Sequence, residues 1–340
     1  MLGASLECAS PGQLEVRGLE LGASTSTVTG QVRAGGTIQN GTLGGTGELF
    51  FFTNSTLSNL QLDCNAAFDG PQVTIAGLTL NGTMTARGTT TTGISTVYVN
   101  GTQTILGSGK IAMAGTTRPT AWGGTTTTTI TLGPGLTLEN TSGSCALGNR
   151  PFVNQGTIEV LAGRLYQGTA LTAAQSNSGT LRVRGGELEL SGLWTNSGAV
   201  IVDSGGTLDG VNTGLDLVTS TLQNDGAVTG RWTFTNGILA GSGTTTLGQS
   251  SVLDTMRLDQ DVLAASTITV RGSLVVNGVL TSRFTTSGTG VVNFVGSTSY
   301  DVSGSGKIVL ENATFALGNN ATLRLATGMS LEGYGSITSA

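Results

Sequence analysis

Histidine does not occur in this chain of 340 residues, and charged side chains are rare. Without histidine the chain cannot form a Ser-His-Asp triad, a Cys-His pair or a histidine-ligated zinc site. Charged residues make up 10% of the chain, 15 basic and 20 acidic, and leave a net charge of −5. Nucleic-acid-binding proteins need basic stripes that displace counterions from phosphates, so the sequence predicts no nucleic-acid partner.

Cysteine and long apolar runs are also scarce. Cys8, Cys64 and Cys145 are too far apart for a zinc site, and their odd number permits at most one bridge within the chain. No run approaches the roughly 18 apolar residues of a membrane-spanning helix. Since the first residues lack the basic and apolar regions of a signal peptide, the protein either stays inside the cell or is a piece of a longer secreted chain, which we favour.

Glycine is abundant, with 55 residues, but only five prolines occur and no three-residue period exists, which excludes collagen. Gly, Thr, Ser, Asn and Val are poor helix formers, and 37% hydrophobic residues argue against disorder. The Gly-x-Gly pairs lack the third glycine of a nucleotide-binding fingerprint and do not precede helices. The sequence therefore predicts an ordered all-β protein without a cofactor.

One phrase recurs: asparagine, one residue or none, glycine, a small residue and an aliphatic one. The longer form begins at Asn154, Asn177, Asn196 and Asn224, in steps of 23, 19 and 28 residues. Asn and Gly tolerate the left-handed backbone conformation of a sharp bend, so we expect turns wherever the phrase occurs. The predicted turn positions are Asn154, Gly156, Asn177, Gly179, Asn196, Gly198, Asn224, Gly226, Asn236 and Gly237.

Between these turns, apolar residues alternate in short bursts such as Ile158/Val160 and Leu323/Leu325. Alternation with period two is typical of short strands with one buried face. Three such steps match the spacing of the phrases, so we predict a parallel β-helix with three short strands per rung and about 15 rungs, right-handed by the usual crossover preference. We expect one solenoid over 1–340, with an irregular segment or bend around 115–152.

The densest group of charged residues is Asp254, Arg257, Asp259 and Asp261. A glycosidase needs two carboxylates about 5 to 10 Å apart, a distance that residues two apart on a strand satisfy. A polysaccharide lyase would use Arg257 as its base and the acids to hold calcium. The alternative, which we favour, is a solvated loop that keeps the protein soluble. No metal site is predicted, since the Gly-Gly-x-Gly-x-Asp calcium repeat does not occur.

Exposed tryptophans serve as platforms for sugars, and Trp122, Trp194 and Trp232 are the candidates. Trp232 alternates onto the same face as Phe234, which indicates the core. A regular Thr-x-Thr ladder would indicate an ice-binding face, but the threonine tracts at 125–129 and 244–246 are isolated. Threonine is better explained by its preference for strands.

The stretch NGILAGSG at 236–243 resembles the repeats of large bacterial surface proteins, namely autotransporter passengers and filamentous-haemagglutinin-like adhesins. The resemblance extends over 150–340 and, more loosely, 30–115. It implies a right-handed parallel β-helix, export to the cell surface and an adhesive or spacer role. It provides no catalytic residues to transfer.

Three functions follow as hypotheses. The first is a non-enzymatic secreted or cell-surface solenoid, an adhesin or stalk segment whose partner is a host or cell-surface glycan or protein. The second is a carbohydrate-active β-helix or a phage tailspike-like receptor binder, with acids and aromatics lining a cleft around 250–262. The third is a structural fibre that associates end to end, because the ends of a solenoid present unpaired strand edges.

Overall fold

The computed structural model of the protein describes residues 5–7, 14–22, 25–89, 94–124, 127–148, 150–167, 174–283, 290–296, 299–318 and 321–339. These residues form a parallel β-solenoid of about 15 turns. No helix occurs among them. The predicted fold class, an all-β parallel β-solenoid, is therefore confirmed.

The chain divides into two compact units, each built from parallel strands. Unit 1 comprises residues 1–173 and 178–180, and unit 2 comprises 174–177 and 181–340. The strands of unit 1 are β1 (Ser5–Glu7), β2 (Leu14–Glu20), β3 (Thr25–Thr29), β4 (Gln31–Gly44), β5 (Glu48–Leu62), β6 (Asn65–Asp69), β7 (Gln72–Leu80), β8 (Thr83–Arg87), β9 (Thr96–Val99), β10 (Gln103–Ile105), β11 (Lys110–Gly124), β12 (Ile130–Leu132), β13 (Thr137–Ala146), β14 (Phe152–Asn154), β15 (Thr157–Val160) and β16 (Arg164–Tyr166).

Unit 2 contains the remaining strands, except that Thr180, the first residue of the second of them, belongs to unit 1. They are β17 (Ala174–Asn177), β18 (Thr180–Val183), β19 (Gly186–Asn196), β20 (Ala199–Val202), β21 (Gly206–Asp216), β22 (Thr221–Asn224), β23 (Ala227–Ala240), β24 (Thr244–Leu247), β25 (Ser251–Leu258), β26 (Val262–Ala264), β27 (Ile268–Val276), β28 (Val279–Arg283), β29 (Val291–Phe294), β30 (Ser299–Ser303), β31 (Lys307–Leu317), β32 (Thr322–Leu325) and β33 (Ser330–Ser339).

In unit 1, apolar side chains of successive turns stack in register at the same inward position. One such column runs through Val32, Leu49, Ala66, Met84, Ile111, Leu138 and Ile158. All of its members are buried. Since paired strands lie about 4.8 Å apart, each side chain packs on those of the turns above and below, and the core is built turn by turn.

Unit 2 has inward columns on three faces. The first runs through Leu188, Leu208, Val228, Thr245, Val262, Leu280 and Ile308. The second runs through Trp194, Leu215, Phe234, Leu253, Val270 and Phe294. The third runs through Val200, Leu222, Leu239, Leu258 and Val276. Thr245 is the polar member, and the amide of Asn224 donates to its Oγ1 at 3.2 Å, so its hydroxyl is satisfied inside the core.

At several corners between faces, the backbone enters the left-handed region. In unit 1, Asn40 has φ 60° and Asn59, in the next turn, has φ 48°. In unit 2, Asn236 has φ 55° and Thr255, beside it in the next turn, has φ 56°. Asparagine tolerates this conformation, but a β-branched residue such as threonine rarely adopts it, so the stacking of turns imposes it on Thr255.

Four of the asparagines predicted at turns do not adopt the left-handed conformation. Asn154, Asn177, Asn196 and Asn224 are at most 1% exposed, and none has a positive φ. The amide of Asn177 donates to Oδ1 of Asn196 at 2.5 Å, and that of Asn154 donates to the carbonyl of Thr180 at 3.0 Å. These asparagines therefore link turns through buried side-chain hydrogen bonds, whereas Asn236, which belongs to the shorter form of the phrase, is left-handed.

The glycines of the phrase are explained by close approach between turns. A Cβ atom built on Gly156, Gly179, Gly226 or Gly237 would lie 2.3, 1.9, 2.4 or 2.3 Å from an atom of the neighbouring turn. These distances are shorter than any allowed contact, so only glycine fits. At Gly198 the carbonyl oxygen accepts a hydrogen bond from the Asn196 amide at 3.0 Å.

The irregular segment or bend expected around 115–152 stays a prediction, because shifts of register like those between β11 and β13 also occur between β19 and β21 and between β21 and β23. The register between β11 and β13 shifts between Met113 and Ala114 and again between Gly115 and Thr120. Farther along, Trp122 is buried and packs edge-on against Phe152, with ring centroids 6.2 Å apart. The extent of a single solenoid over 1–340 stays a prediction.

The close approach at Gly156 predicts a stability effect. Gly156→Ala should lower the free energy of unfolding of unit 1 by about 3 kcal/mol, because the methyl group forces the turns apart. Gly44→Ala is the control, since its added Cβ would meet nothing closer than 3.8 Å. It should change stability by no more than about 0.5 kcal/mol. Equal thermal melting midpoints for the two variants would contradict the steric explanation.

Candidate functional site

The four charged residues predicted as a low-priority catalytic group do not share one face. Asp254 lies on the face that pairs with Thr235 below and Arg271 above. The left-handed corner at Thr255 follows it, and Arg257 then lies on the next face of the solenoid. The corner therefore separates Asp254 from Arg257, although only two residues stand between them.

Asp259 is held by two neighbours. Arg257 Nε donates to its Oδ1 at 2.7 Å, and the amide of Asn277, one turn on, donates to the same oxygen at 2.6 Å. Burial opposes ionisation of Asp259, but the hydrogen bonds from Arg257 and Asn277 and the charge of Arg257 outweigh it and lower the pKa of this carboxyl. A carboxylate with a lowered pKa stays ionised and is poorly suited to act as a general acid.

Asp261 belongs to a recurring structural arrangement. Its Oδ1 accepts a hydrogen bond from the backbone N–H of Val279, one turn on, at 2.9 Å. We call the side chains that accept a backbone N–H of the following turn the cross-turn acceptors. In addition to Asp261, they include Asn65, Asn81, Asp225 and Asn277, with distances of 3.0, 3.1, 2.9 and 3.2 Å. Three of these five are asparagines, so the arrangement needs an oxygen acceptor rather than a charge.

Among the described residues, one group of three carboxylates lies close together. One ligand oxygen each from Glu187, Glu189 and Asp209 lies within 4.8 Å of the other two. Glu189 and Asp209 are paired in register, and Thr229 Oγ1 donates to Asp209 Oδ1 at 2.6 Å. Carboxylate oxygens are ligands that Ca²⁺ accepts. Sequence analysis did not single out Glu187 and Glu189, although their two-residue spacing on a strand was the available signal.

The candidate sugar platforms are in the core. Trp122, Trp194 and Trp232 are at most 1% exposed. Trp232 stacks on Phe234 with ring centroids 4.9 Å apart, and its Nε1 donates to the carbonyl of Thr229 at 2.6 Å. The expectation that Trp232 lies in the core is correct, and none of the three indoles is open to a ligand.

The two described cysteines are buried thiols. Burial raises the pKa of the Cys64 thiol to about 11, which makes it inert. Cys145 Sγ donates to Asn140 Oδ1 at 2.9 Å. They do not form a disulfide with each other, and Cys8 lies outside the described residues.

Unit 2 carries a polar groove on its outer face, formed by two adjoining cavities of about 430 and 400 Å³ that share Asp261 and Val279. Of the predicted group, only Asp261 lines it. Arg283, at one end, pairs with Glu311, and Lys307 Nζ lies 3.1 Å from Glu332 Oε2. The cleft expected around 250–262 therefore contains one acid of the predicted group and no tryptophan.

Unit 1 carries a second groove, which is a single cavity of about 690 Å³. Its walls come from the ends of β4, β5 and β7 and from the segment around β10. The lining residues are Gly22, Asn40, Gly41, Thr42, Asn59, Leu60, Gln61, Gly77, Leu78, Thr79, Thr104 and Leu106. None of these side chains is ionisable, so this groove differs in chemistry from the groove of unit 2.

Comparison of the chain with models of known protein families, with curated proteins and with solved structures gives no match. Within the described ranges, no helical segment has the length and apolar character required to cross a bilayer.

The contacts of Asp259 predict its response to mutation. Arg257→Gln should raise the pKa of Asp259, because it removes the charge and the guanidinium hydrogen bond that favour the carboxylate. A group with a lowered folded-state pKa stabilises the fold above its unfolded pKa and loses that contribution as the pH falls through the folded value. The variant should therefore lose less stability on acidification than the wild type.

A carboxyl-carbon NMR titration measures this change. The matched control is Arg271→Gln, one turn on and paired in register with Asp254 rather than with Asp259. This control substitution should leave the pKa of Asp259 unchanged. An Asp259 pKa that is unchanged in the R257Q protein would show that the ion pair does not govern this carboxyl.

Proposed function

We propose that this chain is a non-enzymatic β-solenoid that acts as an adhesin or stalk segment of a secreted or cell-surface protein. The observation that carries this proposal is the use of the outer acids in contacts between turns. Asp261 accepts a backbone N–H of the next turn, as Asn65 and Asn277 do. Asp259 is held by Arg257 and Asn277. Acids committed to such contacts support a structural role rather than acid–base chemistry.

The way in which the fold gains stability also supports a stalk or adhesive role. Each turn buries its apolar column against its neighbours, so stability accumulates turn by turn and outer faces can vary without loss of the core. The sparse charge and the many hydroxyl and amide side chains produce a hydrogen-bonding surface with few charged groups. The resemblance of 236–243 to bacterial surface adhesins agrees with this role.

A carbohydrate-active enzyme is the second candidate, and the groove beside Asp261 is the observation that favours it. A glycosidase requires a second carboxyl about 5 to 10 Å away and a carboxyl with a raised pKa as the acid. Asp259 has a lowered pKa and an arginine partner, so this candidate ranks below the first.

Substitutions at Asp261 separate the structural role from a catalytic one. Asp261→Asn should keep the melting temperature of the wild type, because the amide oxygen can accept the same N–H of Val279. Asp261→Ala should destabilise unit 2 by about 1 kcal/mol, since the N–H loses its partner. Asn65→Ala is the matched control in unit 1 and should cost a similar amount. A D261N protein as unstable as D261A would contradict the acceptor role.

The function itself is tested by two assays on the same wild-type preparation. Labelled protein should bind to the surface of bacterial or animal cells in a saturable way. The protein should release neither reducing ends nor unsaturated products from a panel of neutral and acidic polysaccharides. Product formation that is lost in D261N and retained in D254N would overturn the proposal in favour of the enzyme.

A further inference from the structure

The uncharged groove of unit 1 extends across successive turns. It passes from Gly22 through the turns at 40–42, 59–61 and 77–79 to Leu106, which bridges to Thr79. At about 4.8 Å per turn, four steps give a length of roughly 19 Å. A groove of this length along the stack is suited to an extended chain rather than to a compact small molecule.

One wall of the groove is a row of amides fixed by the solenoid. Asn40 and Asn59 stand at left-handed corners of adjacent turns. Asn59 Nδ2 donates to Asn40 Oδ1 at 3.3 Å, and Asn40 Nδ2 donates to Glu20 Oε1 at 2.9 Å. Gln61 Nε2 donates to both oxygens of Asp63, at 3.1 and 2.9 Å. These contacts orient the amides before any ligand arrives, which lowers the entropy cost of binding.

The remaining polar groups of the groove are hydroxyls. Thr42, Thr79 and Thr104 line it, and their side chains make no hydrogen bond to the described part of the chain. A threonine hydroxyl can both donate and accept. The groove thus presents hydrogen-bonding groups of both kinds on successive turns.

The groove also has an apolar contact surface. Leu106 is 50% exposed, whereas Leu60 and Leu78 are only 2% and 3% exposed. Leu106 is therefore the main apolar side chain available to a ligand at this position. An exposed leucine beside hydroxyls and amides fits a ligand that alternates C–H faces with hydroxyl groups.

We propose that this groove binds an extended, uncharged oligosaccharide that lies along the stack of turns in unit 1. The inference rests on the adhesive role proposed above and names its ligand class. Among the described residues that line the groove, none has a positive charge to hold an anionic polymer. The strands that form its walls are paired on both sides, β5 with β4 and β7, so they offer no free edge for a peptide to join. Sugar hydroxyls match the donors and acceptors of the walls.

The test is calorimetric titration of the intact chain with uncharged hexasaccharides of glucose, mannose, galactose and N-acetylglucosamine, and with hexagalacturonate as the charged comparison. The wild type should bind at least one uncharged hexamer and not the anionic one. Thr79→Glu should weaken that binding about tenfold or more, because a carboxylate is placed in the middle of the neutral row. Leu106→Ser should weaken it as well.

The matched control is Thr281→Glu, which places the same charge on a half-buried threonine in the groove of unit 2. It should leave binding unchanged, and all variants should melt at the wild-type temperature. The inference fails if no uncharged hexamer binds, if hexagalacturonate binds instead, or if T281E weakens binding as much as T79E does.

Cell binding distinguishes this failure from failure of the adhesive role. If wild type and T79E bind cells equally and protease treatment of the cells abolishes binding, the partner is a protein. The adhesive role then stands, and the groove proposal falls. If a hexamer binds with the expected sensitivity to T79E but no cell surface does, the groove proposal stands and the adhesive role falls.

Discussion

Within each unit, main-chain hydrogen bonds join strands to the equivalent strands of the next turn, and this pairing decides which side chains stack on one another. Parallel strands in register place the same position of each turn about 4.8 Å above the last. An inward position must then be filled by residues that stack on one another, such as Leu49, Ala66 and Met84 in unit 1. The core therefore depends on compatibility between neighbouring turns rather than on contacts between distant parts of the chain.

The same constraint governs the corners and the spaces between turns. When one turn bends with left-handed backbone, as at Asn236, the next must bend at the same place, even where threonine stands there, as at Thr255. When a carbonyl of one turn approaches the next closely, the facing residue must be glycine, as at Gly156 and Gly179. Much of the glycine and asparagine content is thus a consequence of stacking, and this part of the composition carries no information about a ligand.

The fold could be predicted because its two determinants are visible in a single sequence. Alternation such as Ile158/Val160 reveals the strands, and the recurring phrase reveals the length of a turn. The roles of individual residues were less accessible. Asn177 and Asn196 were predicted at turns, but the buried contact between their side-chain amides was not. The sequence pattern places them at the end of a strand, and only the register shows that two amides then face each other.

The arrangement of the charged group around Asp254 and Arg257 could not be predicted from its sequence spacing, for a related reason. Asp254 and Arg257 are close in sequence, but the corner at Thr255 sends them to different faces. The residue type does not predict this corner, because threonine rarely adopts a positive φ. Glu189 and Asp209, in contrast, are distant in sequence and lie beside each other on paired strands. In a solenoid, proximity follows the length of a turn rather than short sequence spacing.

These constraints bear on which parts of the molecule are available for function. Inward positions must stack, and many corner side chains bind the next turn, as Asp261 and Asn65 do. The groups left over are the outward side chains in the middle of strands. A set of such groups becomes a site only where adjacent turns present compatible chemistry side by side. In the groove of unit 2 the cations at its edge are paired with Glu311 and Glu332. In unit 1 the hydroxyls of Thr42, Thr79 and Thr104 make no hydrogen bond to the residues that the structure describes. The same stacking that builds the core of unit 1 thus leaves a row of hydroxyls open to a partner.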